Sequence, residues 1–374
     1  MTAQQTRPKT KQKIRIGIIG LQPGRSWAAR AHIPALRALP DDFEIVGVAN
    51  SSRASAEAAA KDAKLPRAFD NVDQLVASAD IDVVAVTVKV PHHLTIVKAA
   101  IAAGKHVYCE WPLGNGLAEA EELARLARER GIVAVAGTQA CVAPGLEFLR
   151  DLIAGGFVGE VLSSAMIASS AGYGAETTAQ QLYLFDRTTG ANMLTIPVGH
   201  TLAGLREVLG PFVEVEAMLA SRRKTVKVVE TAEIRPVTTP DSVLLNGRLA
   251  GGAVASLHFR GGVPKGLGLY WQIDGTEGDI VVTGNTGHLQ YADLSISGAS
   301  TKETELRPLV PPRSLVDDWP ETGTVGNVAR MYARMARDIR AGTSTAPTFA
   351  DAVSLHRLID AIERSAAAGE RVRL

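Results

Sequence analysis

The sequence predicts an α/β protein: an N-terminal Rossmann-type, doubly wound parallel sheet, then a C-terminal α+β region built on a large, mostly antiparallel open sheet. Three observations predict it. In the first half, short runs that are apolar almost throughout alternate with helical patterns, as parallel strands covered on both faces require. In the second half, longer strand-like runs follow one another through turn residues. The chain of 374 residues also exceeds what one core usually holds, at roughly 150 residues per domain. Two domains are expected, residues 14–138 and 139–374, after a solvated tail at 1–13.

The first apolar run is 14–20, followed by 44–50, a shorter one at 67–69, then 82–88, 106–110 and 132–137. Between them, 52–63 is alanine-rich, and Asp70 is placed to cap a short helix carrying Val72, Leu75 and Val76. Helices at 93–103 and 117–130 stop at Gly104 and Gly131, because glycine relieves the left-handed position just past a helix. Six strands with helical crossovers make a doubly wound domain. After a helix at 145–154, strands are expected at 161–170, 213–224, 242–249, 253–260, 269–274 and 279–282. The links 250–252 and 284–287 read as hairpins. Helices at 325–340 and 350–367 close the chain and are expected to fold back on the body.

Composition removes several function classes. Lys and Arg total 40 against 39 Asp and Glu, so no long-range field draws in a nucleic acid. No apolar run approaches the roughly 20 residues that cross a bilayer. The first residues lack the apolar stretch of a secretory signal. Cys109 and Cys141 are too few for a disulfide framework, and no zinc spacing occurs. A reducing cytoplasm, no metal and a small-molecule ligand follow as expectations. His92 and His93 do not share a metal, since neighbours on a helix diverge by about 100°.

The first strand opens into Gly20-Leu21-Gln22-Pro23-Gly24-Arg25-Ser26-Trp27. A dinucleotide site needs glycine here, so that the backbone turns tightly and the pyrophosphate reaches a helix N-terminus. Gly20 and Gly24 meet that need, while Gln22 replaces the middle glycine of the fingerprint and Arg25 extends the loop. The second strand ends in Asn50-Ser51-Ser52-Arg53, with no carboxylate for the adenosine ribose. Ser51, Ser52 and Arg53 could instead donate to a 2′-phosphate, which favours NADP over NAD. Equally, Ser51 or Ser52 could merely cap the next helix, leaving Arg53 solvated.

The stretch from Val86 through Thr87, Lys89, Pro91 and His93, then Lys105-His106-Val107-Tyr108-Cys109-Glu110-Trp111-Pro112, resembles the Gfo/Idh/MocA family of NAD(P)-dependent sugar and polyol oxidoreductases. Glu160-Val161, Gly199-His200 and Asp274-Gly275-Thr276-Glu277-Gly278 extend the likeness over most of the chain. The resemblance implies cofactor contacts at Thr87, His93, Glu110 and Trp111, and a substrate cleft in the second domain. It also implies an oligomer, a homodimer or homotetramer, formed over the outer face of the open sheet. Alternation of Val254, Ser256 and His258 with Ala253, Ala255 and Leu257 leaves that face less polar than free exposure favours.

By the same resemblance His200 stands where the family places its catalytic histidine, and a neutral imidazole can take a hydroxyl proton. Tyr183 is a second catalytic candidate, and Trp111, Tyr173, Asp186 and His200 are candidates for substrate contact. Two departures stand out. Trp111 replaces the family's usual lysine, and Ile196 and Ala203 occupy positions where the family carries aspartates. Glu-Trp-Pro-Leu also resembles a branch typified by the fungal galactose-pathway co-repressors, NADP-binding regulators without catalysis. Three functions remain open: an oxidoreductase on a sugar or polyol hydroxyl, a silent NADP-responsive regulator, and a glycosidase with a retained dinucleotide.

Overall fold

A computed structural model describes residues 12–316, 319 and 321–374. Most of the expected tail at 1–13 lies outside them. The first sheet contains β1 (Ile14–Ile19), β2 (Phe43–Ala49), β3 (Arg67–Ala68), β4 (Val83–Val86), β5 (His106–Glu110) and β6 (Ala134–Gly137). Their order is β3-β2-β1-β4-β5-β6, parallel throughout. The chain thus reverses direction across the sheet between β1 and β4, the crevice where doubly wound folds place a dinucleotide. Ile16, Ile18 and Val83–Val86 are fully buried because helices cover both faces. One helix start differs from expectation. Asn71, not Asp70, caps Val72–Ala77, its side chain accepting from the Gln74 N–H.

The second sheet has nine strands. From edge to edge they are Arg307–Leu309, Leu294–Ser300, Gly278–Gly284, Leu269–Gly275, Val161–Ser170, Val254–Gly261, Ser242–Leu249, Phe212–Ala220 and Val372–Arg373. Only the Val161–Ser170 and Val254–Gly261 pair is parallel. Gly251 and Gly252 make the expected hairpin, whereas the second supposed hairpin is a longer loop, residues 285–293, before Leu294–Ser300. One face of the sheet carries Met166, Leu245, Leu257, Phe259 and Trp271 inward. The other has no cover: Tyr270, Ile167, His258, Leu244 and Met218 stand in register across five strands, and the four besides His258 are large exposed hydrophobics.

The closing helices, Gly323–Ala341 and Phe349–Ala368, return to the body. Val328, Met331, Tyr332 and Met335 from the first of them share one hydrophobic cluster with Ile16, Ile18 and Val83. Phe349, Leu355 and Ile359 from the second join the cluster beneath the large sheet. Among the described residues no helix is long and apolar enough to cross a membrane.

Candidate functional site

At the end of β1 the chain enters the loop at Gly20, whose φ is +101°. A Cβ there would stand 2.6 Å from Val88 Cγ1 and 3.0 Å from the Thr87 carbonyl oxygen, so glycine lets the loops after β1 and β4 touch. Thr87 binds the same corner, its backbone N–H and hydroxyl both donating to the Ile19 carbonyl. Residues 22–25 form an exposed tip, closed when the Ser26 hydroxyl accepts from the Gln22 N–H. Gly24 has a φ of +61°, with nothing within 4 Å of a Cβ built there. Trp27 follows, and its buried indole N–H has no partner. An open glycine turn at a strand end, leading into a helical segment from Ala28, fits a dinucleotide.

Polar side chains at the end of β2 bond within the chain. Asn50 locks the loop: its Oδ1 accepts from the Leu21 N–H at 3.0 Å and its Nδ2 donates to Leu21 O at 2.8 Å. Ser52 caps Arg53–Asp62 by accepting from the Ser55 N–H. The Arg53 fork is engaged by Glu57 at 2.7 Å and by Asp70, although the side chain is half exposed. Ser51 is left exposed.

Three further residues of the sequence reading are also engaged within the chain. His93 is buried, with Nδ1 2.8 Å from the Pro112 carbonyl and Nε2 3.0 Å from that of Val88. It ties the loop after β4 to the loop after β5 and presents neither ring nitrogen to a cofactor. Trp111 is also buried, its Nε1 donating to the Thr195 carbonyl at 2.6 Å. Its ring lies against that of His356, with centroids 4.6 Å apart. A Cβ on Gly199 would come within 2.7 Å of Trp111 Nε1, which is why glycine precedes His200. Asp186 turns away in a third manner. It is exposed, caps the turn at Arg187–Thr189, and is held below the usual carboxylate range by hydrogen bonds from the Thr188 N–H and hydroxyl.

Glu110 enters a buried chain of polar groups that the sequence did not reveal. Its Oε1 accepts from His32 Nε2 at 2.9 Å and from Gln139 Nε2 at 2.7 Å. His32 Nδ1 meets the Tyr332 hydroxyl at 2.7 Å. Gln139 Nε2 also reaches the Tyr108 hydroxyl, and its Oε1 accepts from Gln290 Nε2 at 2.8 Å. Side chains from β5, from residues after β6, from the 285–293 loop and from Gly323–Ala341 are thereby joined.

His200 lies in Gly199–Leu209, directly after a π-helical segment, Leu194–Val198, that contains Pro197. The Thr201 hydroxyl contacts Pro197 O at 2.8 Å and Gly287 O at 2.5 Å, pinning this helix to the 285–293 loop. That loop delivers His288 to His200, ring centroids 4.9 Å apart, and Tyr291 stands edge-on to His288 at 4.6 Å. Both imidazoles are buried, and His200 Nδ1 and His288 Nε2 have no hydrogen-bond partner among the described residues. Burial, then His288, pushes His200 well below its ordinary value, and burial takes His288 down to about 3. At neutral pH both rings are uncharged. Tyr173 is buried nearby, raised well above 10 by burial and secondarily by Tyr183 and Tyr291. Tyr183 is raised by burial, and the Lys89 ammonium sits 4.4 Å over its ring.

The structure sets His200 against His288, places Tyr173 and Tyr183 toward Tyr291, and leaves Asp186 exposed. It adds His288, Gln290, Gln139, His32, Tyr291 and Lys89. The available signal for His288 and Tyr291 was a histidine and a tyrosine inside a turn-rich segment, read as a simple hairpin.

Comparison with known proteins separates family from activity. Residues 14–138 match the profile of an oxidoreductase family with an NAD-binding Rossmann fold, Gfo/Idh/MocA. Residues 144–284 match the Gal80p C-terminal domain. The dehydrogenase aclE of Aspergillus oryzae is 30% identical over 96% of this chain and 98% of its own. The chain belongs to the Gfo/Idh/MocA family. Another relative of this family member, the galactose/lactose metabolism regulatory protein GAL80 of Kluyveromyces lactis, is 28% identical over 95% of this chain and 94% of its own. A crystal structure of the Gal80p transcriptional regulator from that yeast superimposes with a TM-score of 0.86, covering 98% of this chain and 96% of that one. Relatives named as a dehydrogenase and as a regulator thus both align along nearly the whole family member.

Proposed function

We propose that the protein is an NADP-preferring oxidoreductase acting on a hydroxyl of a sugar or polyol. One observation carries this reading: two buried imidazoles, His200 and His288, each with a nitrogen that has no hydrogen-bond partner among the described residues. A buried polar atom without a partner costs about 1–3 kcal/mol, and a hydroxyl-bearing ligand would repay that cost. The Gly20–Ser26 backbone would hold a dinucleotide, and Ser51, Ser52 and Arg53 would meet a 2′-phosphate. Arg53 would exchange Glu57 and Asp70 for it, an inexpensive trade between exposed groups. A nicotinamide bound there supplies a hydride acceptor. The chain's own part is to orient the substrate and to receive its hydroxyl proton on neutral His200, with His288 against it.

A regulator reading is favoured by a different observation. Trp111, in place of the family's lysine, has its N–H on Thr195 and one face on His356, leaving no proton relay there. One experiment separates the two: nicotinamide absorbance with a panel of sugars, polyols and glycosides, beside titrations of NADP and NAD. Turnover is expected, and His200→Ala should lower it by roughly 10²–10⁴-fold with NADP affinity nearly intact. Turnover unchanged in His200→Ala moves the base to Tyr183. Cofactor binding with no turnover of any panel member replaces the enzyme by the regulator, and aglycone release without net reduction marks the glycosidase.

The uncovered row of Tyr270, Ile167, Leu244 and Met218 supports self-association through the large sheet as a homodimer or homotetramer, since exposed apolar surface of this kind marks an interface. Light scattering tests it, and a monomer at high concentration refutes it.

A further inference from the structure

Lys89 follows the corner where Val88 meets Gly20, at the mouth of the crevice between β1 and β4. Its backbone is fixed on both sides: Val88 O lies 3.0 Å from His93 Nε2, and Lys89 O accepts from the His92 N–H at 3.0 Å. The side chain is exposed, yet its ammonium is set 4.4 Å over the ring of Tyr183, in the Ala179–Phe185 segment that follows the first long strand of the large sheet. Among the described residues no carboxylate pairs with it. Tyr291, against Trp27 of the β1 loop on one side and His288 on the other, lies within electrostatic reach of Tyr183. The loops after β1 and β4 thus converge with Ala179–Phe185 and the 285–293 loop around an unneutralised cation. An aromatic face steadies that cation without using any of its three N–H donors.

We propose that Lys89, steadied by the Tyr183 ring, donates a hydrogen bond to the reacting oxygen of the sugar or polyol. In the oxidation the C–H bond gives its electron pair to the nicotinamide and the O–H bond gives its proton to the base proposed above. The oxygen is therefore richest in charge on the way from hydroxyl to carbonyl, and a donor placed in advance lowers that barrier. Trp111 cannot supply the donor, because its N–H is spent on the Thr195 carbonyl. Lys89 is then a catalytic residue that is not consumed, and Tyr183 is its positioning residue. This role rests on the oxidoreductase reading above.

With the panel sugar or polyol that turns over best, Lys89→Met should lower kcat by roughly 10²–10³-fold, as loss of an oxyanion donor does, while NADP affinity holds. Lys89→Arg keeps the charge and should recover at least about tenfold of that loss. A second readout needs no turnover: the ¹³C resonance of Lys89 in the full chain after reductive methylation with ¹³C-formaldehyde, assigned by its absence in Lys89→Arg. The Tyr183 ring current should hold this resonance upfield, and Tyr183→Leu should return it to the position of a free lysine. Adding the same sugar or polyol to the NADPH complex, an unreactive pair, should move it again. Wild-type kcat in Lys89→Met, or a resonance that the sugar or polyol does not move, overturns the proposal. A loss of NADP affinity in place of kcat overturns it in favour of a phosphate contact. A wild type that turns over no panel member defeats the oxidoreductase reading and this role together, whereas turnover that survives Lys89→Met defeats this role alone.

Discussion

At the end of β2, polar side chains spend their atoms on the chain itself: Asn50 on Leu21, Ser52 on the helix it caps, Arg53 on Glu57 and Asp70. Between Gly199–Leu209 and the 285–293 loop the reverse holds, since His200 and His288 are buried and each keeps a nitrogen without a partner. The contrast shows how much a hydrogen-bond partner means in each setting. For Arg53 water is always an alternative, so its ion pairs are weak and reversible. The imidazoles are removed from bulk water, and an unmade bond there is a standing cost that a bound partner offsets. The first region is a surface that can be recruited, and the second is prepared in advance.

Trp111 borders the prepared region and separates a plug from a binding face. Trp111→Ala should destabilise the fold by about 3–5 kcal/mol, as truncation of buried aromatics does, read as a lower urea midpoint. A loss well under 1 kcal/mol would mean that the indole fills no essential volume. Acid should strike the same region. His288 and His356 are lowered by burial to about 3 and about 4, from 6.5, so below pH 6.5 the unfolded chain binds more protons than the folded one. Stability is full above that pH and falls as pH drops toward those values, by up to about 1.4 kcal/mol per pH unit for each ring. Thermal melts from pH 7 to 4.5 check this, and a flat profile would contradict the burial of the imidazoles.

Gly199→Ala probes the approach of Trp111 to the His200 helix. A Cβ 2.7 Å from the indole nitrogen should cost about 1–3 kcal/mol through overpacking, visible in the same urea titration. The smallest effect belongs to the recruited surface. Arg53→Ala should leave the unfolding midpoint in place and lower the NADP-over-NAD affinity ratio by roughly tenfold. An unaltered ratio would assign any 2′-phosphate recognition to Ser51 and Ser52, and equal affinities in the wild type would remove the NADP preference.

The first sheet was legible strand by strand because its segments are buried on both faces, which writes continuous apolar runs such as Val83–Val86 into the chain. Strands at and next to the edges of the second sheet were missed for the opposite reason. Leu294–Ser300 reads Leu-Ser-Ile-Ser-Gly-Ala-Ser, and Val372–Arg373 is two residues long, so neither carries a hydrophobic pattern that stands above loop composition. In the site, His200 was singled out through Gly199-His200 and its resemblance, while the sequence could not show that Asp186 caps the turn at Arg187–Thr189, because a polar segment between a strand and a helix reads alike whether its side chains cap or bind.

The sequence by itself determined the fold class, the order of the first six strands, the glycine turn after β1 and the family's departures at Trp111, Ile196 and Ala203. These follow from periodicity, glycine stereochemistry and residue identity, all local properties. Tertiary structure alone decided that Glu110 meets His32 and Gln139, that Gln290 meets Gln139, and that His288 stands against His200. A hydrogen bond between buried groups far apart in the chain leaves no periodic trace. Whether a polar side chain has a partner is a property of the space around it, and that space exists only once both sheets and the closing helices are in place.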